Sequence, residues 1–203
     1  MALNFANNNS LSAISAKPSG LSGGSMNLIS TQTASSSSTI SFTSGIDSTY
    51  DEYVFKFYNM HPATDSTHFS FQGSTNGGSS YGVTITSTSF QANHQENGSG
   101  GDLYYWTGGD LAQSTSFQRL APYVDNDADS NSSGFLHLFA PSNTTFVKHF
   151  KARMSLNQSA SSKMLLDNYT AGYFNTTSSI NAIQFKMESG NVDAGVIKMY
   201  GVS

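Results

Sequence analysis

Residues 145–154 constrain this chain more than any other stretch, because their side chains alternate with a period of two. Phe146, Phe150, Ala152 and Met154 fall on one side, and His149, Lys151 and Arg153 on the other. On a helix the same residues would scatter around the axis, so the spacing predicts a strand with one buried and one solvated face. Ile183, Phe185 and Met187 oppose Gln184, Lys186 and Glu188 in the same way, as expected of an antiparallel sheet that covers a core on one side. Tyr53, Phe55 and Phe57 line one face of an earlier strand, while Val54, Tyr58 and Met60 make its other face apolar too. That strand is expected to be central, or to present its second face to another subunit.

From Ser38 onward, β-favouring runs alternate with turn-rich segments. Strands are predicted at residues 39–43, 52–60, 68–72, 82–87, 103–105, 117–120, 135–139, 145–154, 169–174, 181–188 and 195–202. The last two flank Glu188-Ser189-Gly190-Asn191 and read as a closing hairpin. This spacing, without a long amphipathic helical pattern, predicts an all-β, antiparallel β-sandwich of jelly-roll type over residues 38–203, with a barrel as the next choice. The 14 Phe and 10 Tyr can fill its core, each contributing about 1.5–3 kcal/mol on burial.

Residues 1–37 differ in kind. Ser, Asn and Gly dominate, with Lys17-Pro18-Ser19-Gly20 and Ser22-Gly23-Gly24-Ser25 as breakers, a composition that seldom builds its own core. The segment is expected to be an N-terminal arm for anchoring or assembly. Leu3, Phe5, Leu11, Ile14, Leu21, Leu28 and Ile29 are its candidate docking side chains.

Composition narrows the function classes. The net charge is −4 and the nine Lys and Arg form no cluster, whereas nucleic-acid binders show a concentrated basic footprint. The chain has no cysteine, so disulfides, thiolate nucleophiles and Cys-based zinc sites are all excluded. No apolar run approaches the ~18 residues of a membrane span. The N-terminus lacks the basic start and apolar core of a secretory signal, so synthesis in a cytoplasm without a signal peptide is expected.

Three stretches invite chemical readings. Gly20-Leu21-Ser22-Gly23-Gly24 matches the G-x-S-x-G pattern, but a nucleophile elbow needs a strand before it and a helix after it. No catalytic residue and no cofactor is assigned. Asp125, Asp127 and Asp129 alternate like the start of a calcium loop, yet Ser130 stands where the glycine belongs and Leu136 where the final Glu belongs, so a solvated acidic loop is the better reading. Asn93–Asp102 is a polar glycine-rich loop running into Leu103-Tyr104-Tyr105-Trp106. Asp102, Tyr104 and Trp106 are candidate glycan contacts, because a flat ring can cover a sugar's apolar face while polar groups meet its hydroxyls. The competing reading puts Leu103 and Tyr105 inward and packs Tyr104 and Trp106 at an edge or subunit seam.

The ending Ile197-Lys198-Met199-Tyr200-Gly201-Val202-Ser203, with Tyr50–Phe57, Phe69–Ser74 and Gly77–Tyr81, resembles runs in virion proteins of tailed bacteriophages, marine ones among them. The resemblance implies a non-enzymatic structural protein of the decoration or fibre type, located in the virion. Its implied partners are other virion proteins of capsid or tail and further copies of itself, with a trimer as the working arrangement. Capsid decoration is the preferred role, since the chain lacks the repeats or heptads of a fibre shaft. The alternative is a tail-associated, lectin-like receptor-binding protein that recognises a host surface glycan.

Overall fold

The computed structural model describes residues 26–158 and 163–202. They form twelve strands: β1 (Asn27–Ser37), β2 (Ile40–Phe42), β3 (Glu52–Pro62), β4 (Thr67–Ser74), β5 (Ile85–Gln95), β6 (Gly101–Tyr105), β7 (Gln118–Val124), β8 (Ser132–Phe139), β9 (Lys148–Gln158), β10 (Met164–Phe174), β11 (Ala182–Met187) and β12 (Val192–Val202). There is no helix among the described residues. All pairings are antiparallel and make two sheets, one ordered β1-β12-β3-β8-β9-β10-β5-β6 and the other β2-β11-β4-β7.

Setting aside the hairpins β5–β6 and β9–β10 leaves eight strands. Renumbered in chain order, they pair as 1-8-3-6 and 2-7-4-5, the strand order of a jelly roll. The expected sandwich is therefore the architecture found. The two hairpins are insertions that prolong the first sheet by four strands, and β7 of the small sheet packs across β9 and β10.

The core lies between the sheets. Phe185 of β11 has Phe55 at 5.3 Å, Phe57 at 5.1 Å, Phe69 at 5.9 Å, and Phe42 and Phe71 at 6.2 Å, ring centroid to centroid. Tyr53, Phe55 and Phe57 point inward and β3 runs between β12 and β8, as a central strand should. A bulge after Phe57, with Asn59 at a φ of 51°, turns Met60 into the core as well. Val54, on the opposite face, is also buried, between His137 and Tyr200 of the flanking strands.

Alternation in β9 continues from Lys148 to Leu156, with Phe150, Ala152 and Met154 inside and His149, Lys151 and Arg153 outside. Phe146, expected on the inner face, lies before the strand and is 69% exposed. Lys148 takes the inner position instead, because its Nζ donates to the carbonyls of Phe146 and Thr176 at 2.9 and 3.1 Å. A buried ammonium is tolerable only with acceptors at hand.

Three further expectations change. The final eleven residues of the expected arm, Asn27–Ser37, form β1 and pair along β12, so the sheet begins inside the arm. The closing hairpin is a crossover: β11 pairs with β2 and β4, while β12 lies in the other sheet between β1 and β3. Gly190, at a φ of +70°, carries the chain between the layers, and a Cβ there would lie 2.1 Å from Thr64 Oγ1. The strand expected at 82–87 starts at Ile85 and runs to Gln95, since its inward residues Ser87, Ser89 and Gln91 bond polar partners rather than apolar ones.

Candidate functional site

Register along the eight-stranded sheet aligns one outward residue per strand into an unbroken row: Tyr105, Phe90, Tyr169, Arg153, Phe135, Lys56, Lys198 and Thr31. Neighbouring strands lie ~4.8 Å apart, so side chains along the row can touch. Phe90 and Tyr169 stack at 4.7 Å with planes 5° apart, and the Arg153 guanidinium covers Tyr169 at 4.7 Å from its centroid. Asp167 holds that guanidinium through bonds of 2.6 to 3.1 Å, and these bonds raise the Arg153 pKa further. Burial, and then the Asp167 charge, raise the Tyr169 hydroxyl's pKa. Further along, Lys56 sits 5.3 Å from the Tyr200 ring and Lys198 5.7 Å from Tyr58. In each contact the electron-rich ring face attracts the cation and favours the rotamers that bring the two together.

Beside this row the face opens into a shallow groove of ≈ 670 Å³ spanning β8, β9, β10 and β5. Ala171 and Gly172 form its low floor, and Phe139, His149 and Tyr173 stand around it. His149 and Tyr173 are 5.7 Å apart and tilted by 58°, so neither ring covers the other. Lys151, Phe150, Thr86, Ser87 and Thr88 complete the lining. His137, next to Lys151 on β8, is paired with Glu52.

The expected glycan contacts are dispersed. Trp106 is only 7% exposed, because the loop after β6 folds back over the outside of the small sheet. There Trp106 meets His68 at 5.9 Å and Tyr123 at 6.4 Å, and Gln72 Nε2 bonds the loop carbonyls of Thr115 and Ser116. Its ring face is thus unavailable to a sugar. Tyr104 turns its hydroxyl to Gln91 Oε1 at 2.6 Å, and Asp102 is exposed on the short edge strand β6. Leu103 and Tyr105, expected inward in the competing reading, point outward, in line with Ala92 and Phe90 of β5.

The three aspartates also separate: Asp125 is buried while Asp127 and Asp129 are exposed, and Asp129 lies 3.6 Å from Lys163 Nζ. Among the described residues no group of three or more acidic or histidine side chains is arranged to hold a metal. Of the arm's candidates, Leu3, Phe5, Leu11, Ile14 and Leu21 lie outside the described residues. Leu28 is exposed on β1, and Ile29 packs against the core. The anticipated basic stripe of His149, Lys151 and Arg153 is real, but its aromatic neighbours come from strands far apart in the chain, which single-strand periodicity cannot reveal.

Sheet edges form the second notable surface. Edges of stable domains are blunted by shortness, charge or proline. β2 has three residues, β6 has five and carries Asp102, and β7 contains Arg119 and Pro122. β1 is eleven residues long, with neither charge nor proline, and its edge away from β12 bears no strand among the described residues.

No protein-family model, curated protein or solved structure matches this chain.

Proposed function

We propose that this chain is a non-enzymatic structural protein of a tailed-phage particle, a capsid decoration sandwich attached through its N-terminal segment and the adjoining β1. The observation that carries the reading is the unguarded edge of β1, which directly follows that segment. An open, uncharged strand can take an added strand from a neighbouring subunit, main-chain bonds supplying affinity and repetition over many copies supplying avidity. Sequence resemblance to phage virion proteins supports the setting. Jelly rolls occur in viral shells and in lectins, which agrees with the reading as analogy only.

The test is particle incorporation, read by mass spectrometry as copies per major capsid protein. Removing residues 1–25 abolishes incorporation, and the pair Thr33→Lys with Ser35→Lys, which guards the β1 edge, reduces it severalfold. Normal incorporation of both variants would overturn the proposal. A high copy number places the protein on the shell and a low one on the tail.

A second reading, host-glycan binding by a tail protein, is favoured by the aromatic and cationic outer face of the large sheet. On this reading the contacts are made there and not by Trp106.

A further inference from the structure

Four of the chain's nine Lys and Arg side chains stand on the outer face of the large sheet. The outward side chains of β3 supply Lys56, those of β9 supply Lys151 and Arg153, and β12 adds Lys198. The facing carboxylates are Glu52 and Asp167, engaged by His137 and Arg153, and Asp110, which accepts from the Tyr105 hydroxyl at the β6 end of the row. Asp193 lies at the far end of β12, 3.7 Å from His61. Cations and carboxylates thus balance on this face, and what separates the cations is whether each is already engaged. Arg153, Lys56 and Lys198 each cover or flank a ring. Lys151 differs: its ammonium is exposed at the groove and has no hydrogen bond, ion pair or ring contact among the described residues.

We propose that the groove over Ala171 binds a carboxylated pyranose of an acidic polysaccharide, the ring lying against Tyr173 and His149 and the carboxylate meeting Lys151 Nζ. This rests on the glycan-binding reading and names its place and ligand class. The groove's volume falls within the ~300–1,000 Å³ of small-molecule sites, which are largely apolar with a few placed polar groups. Its low floor admits a ring between the aromatic walls, and Thr86 and Thr88 line it as well, the Thr86 Oγ1 already accepting from the Gln113 backbone and side-chain N–H and so left to donate its O–H. One mobile ammonium suits a lone carboxylate. A nucleic-acid strand would call for a continuous basic track, and here the stacked pair Phe90 and Tyr169 spend their faces on each other and on Arg153.

The experiment is affinity electrophoresis of the full chain in gels containing polygalacturonate, alginate or hyaluronan, each beside its carboxyl-reduced form, with oligothymidylate as a separate arm. At least one polyuronate is expected to retard the protein, with affinity about tenfold weaker for Lys151→Ala and for Tyr173→Ala, near wild type for Lys151→Arg, and weaker on the reduced polymer. Both positions face outward, and unchanged thermal midpoints verify the fold of the variants. Equal retardation by reduced and native polymers would overturn the inference while sparing the glycan-binding reading. Retardation by no polysaccharide would overturn both. Binding of oligothymidylate alone, lost on the same substitutions, would replace the ligand class and overturn the proposal.

Discussion

Lys148 Nζ donates to the carbonyl oxygen of Thr176 at 3.1 Å, joining the loop that enters β9 to the loop that leaves β10. The same ammonium holds the Phe146 carbonyl at 2.9 Å. Burial lowers its pKa from the ordinary lysine value, yet two acceptors keep it in place. Replacing Lys148 with Met keeps the stem and strands both carbonyls. Urea unfolding should show a loss of about 1–3 kcal/mol. A gain in stability would mean that desolvating the ammonium costs more than its bonds return.

Phe185 ties the two layers together through five neighbouring phenylalanines. Phe185→Ala leaves a void that rings on opposite sheets cannot close. Chemical denaturation should report a loss of about 3–5 kcal/mol. A cost under 1 kcal/mol would show that the layers collapse into the space.

His68 Nδ1 accepts a hydrogen bond from the Tyr123 backbone N–H at 3.1 Å, which requires that nitrogen to be unprotonated. Burial, and then the Arg119 charge, lower its pKa from 6.5, against an opposing pull from Glu188. Because folding depresses this pKa, the unfolded chain binds more protons at acid pH. The contribution is complete above about pH 6.5 and declines as pH falls below it toward the folded value. Thermal midpoints from pH 7.5 to 5 should drop more steeply for the wild type than for His68→Gln. Parallel curves would refute the assignment.

Gly109 lies under the Trp106 ring, and an added Cβ would come within 2.0 Å of it. Gly109→Ala should push out the ring and loosen the loop that covers the small sheet. Because the chain has one Trp, its fluorescence maximum reports this directly by moving to longer wavelength. Stability should fall by about 1–3 kcal/mol. An unshifted spectrum would mean that the loop accommodates the methyl group.

Period-two alternation in β9 and β11 was legible because each of these strands buries one face in an apolar core, and β3 stood out as central because both of its faces carry apolar residues. All eleven predicted strands occur, so the all-β class and the sandwich follow from the order of residues alone. β1 was hidden because Thr, Ser and Gln dominate it, and its pairing depends on β12, more than 150 positions away. The second half of β5 was hidden because its inner face is polar: Ser89 bonds Asn168, and Gln91 Oε1 accepts from the Tyr104 hydroxyl, both partners from other elements.

Local pattern thus determined which segments extend and which face of each is apolar, since those properties arise within a few residues. Tertiary structure alone decided that the last two strands part into different sheets and that Trp106 is covered. It also decided that Phe90, Tyr169, Arg153 and Phe135 share one row. Such a row is a matter of register between distant strands, and register is set by how two whole layers fit over their common core.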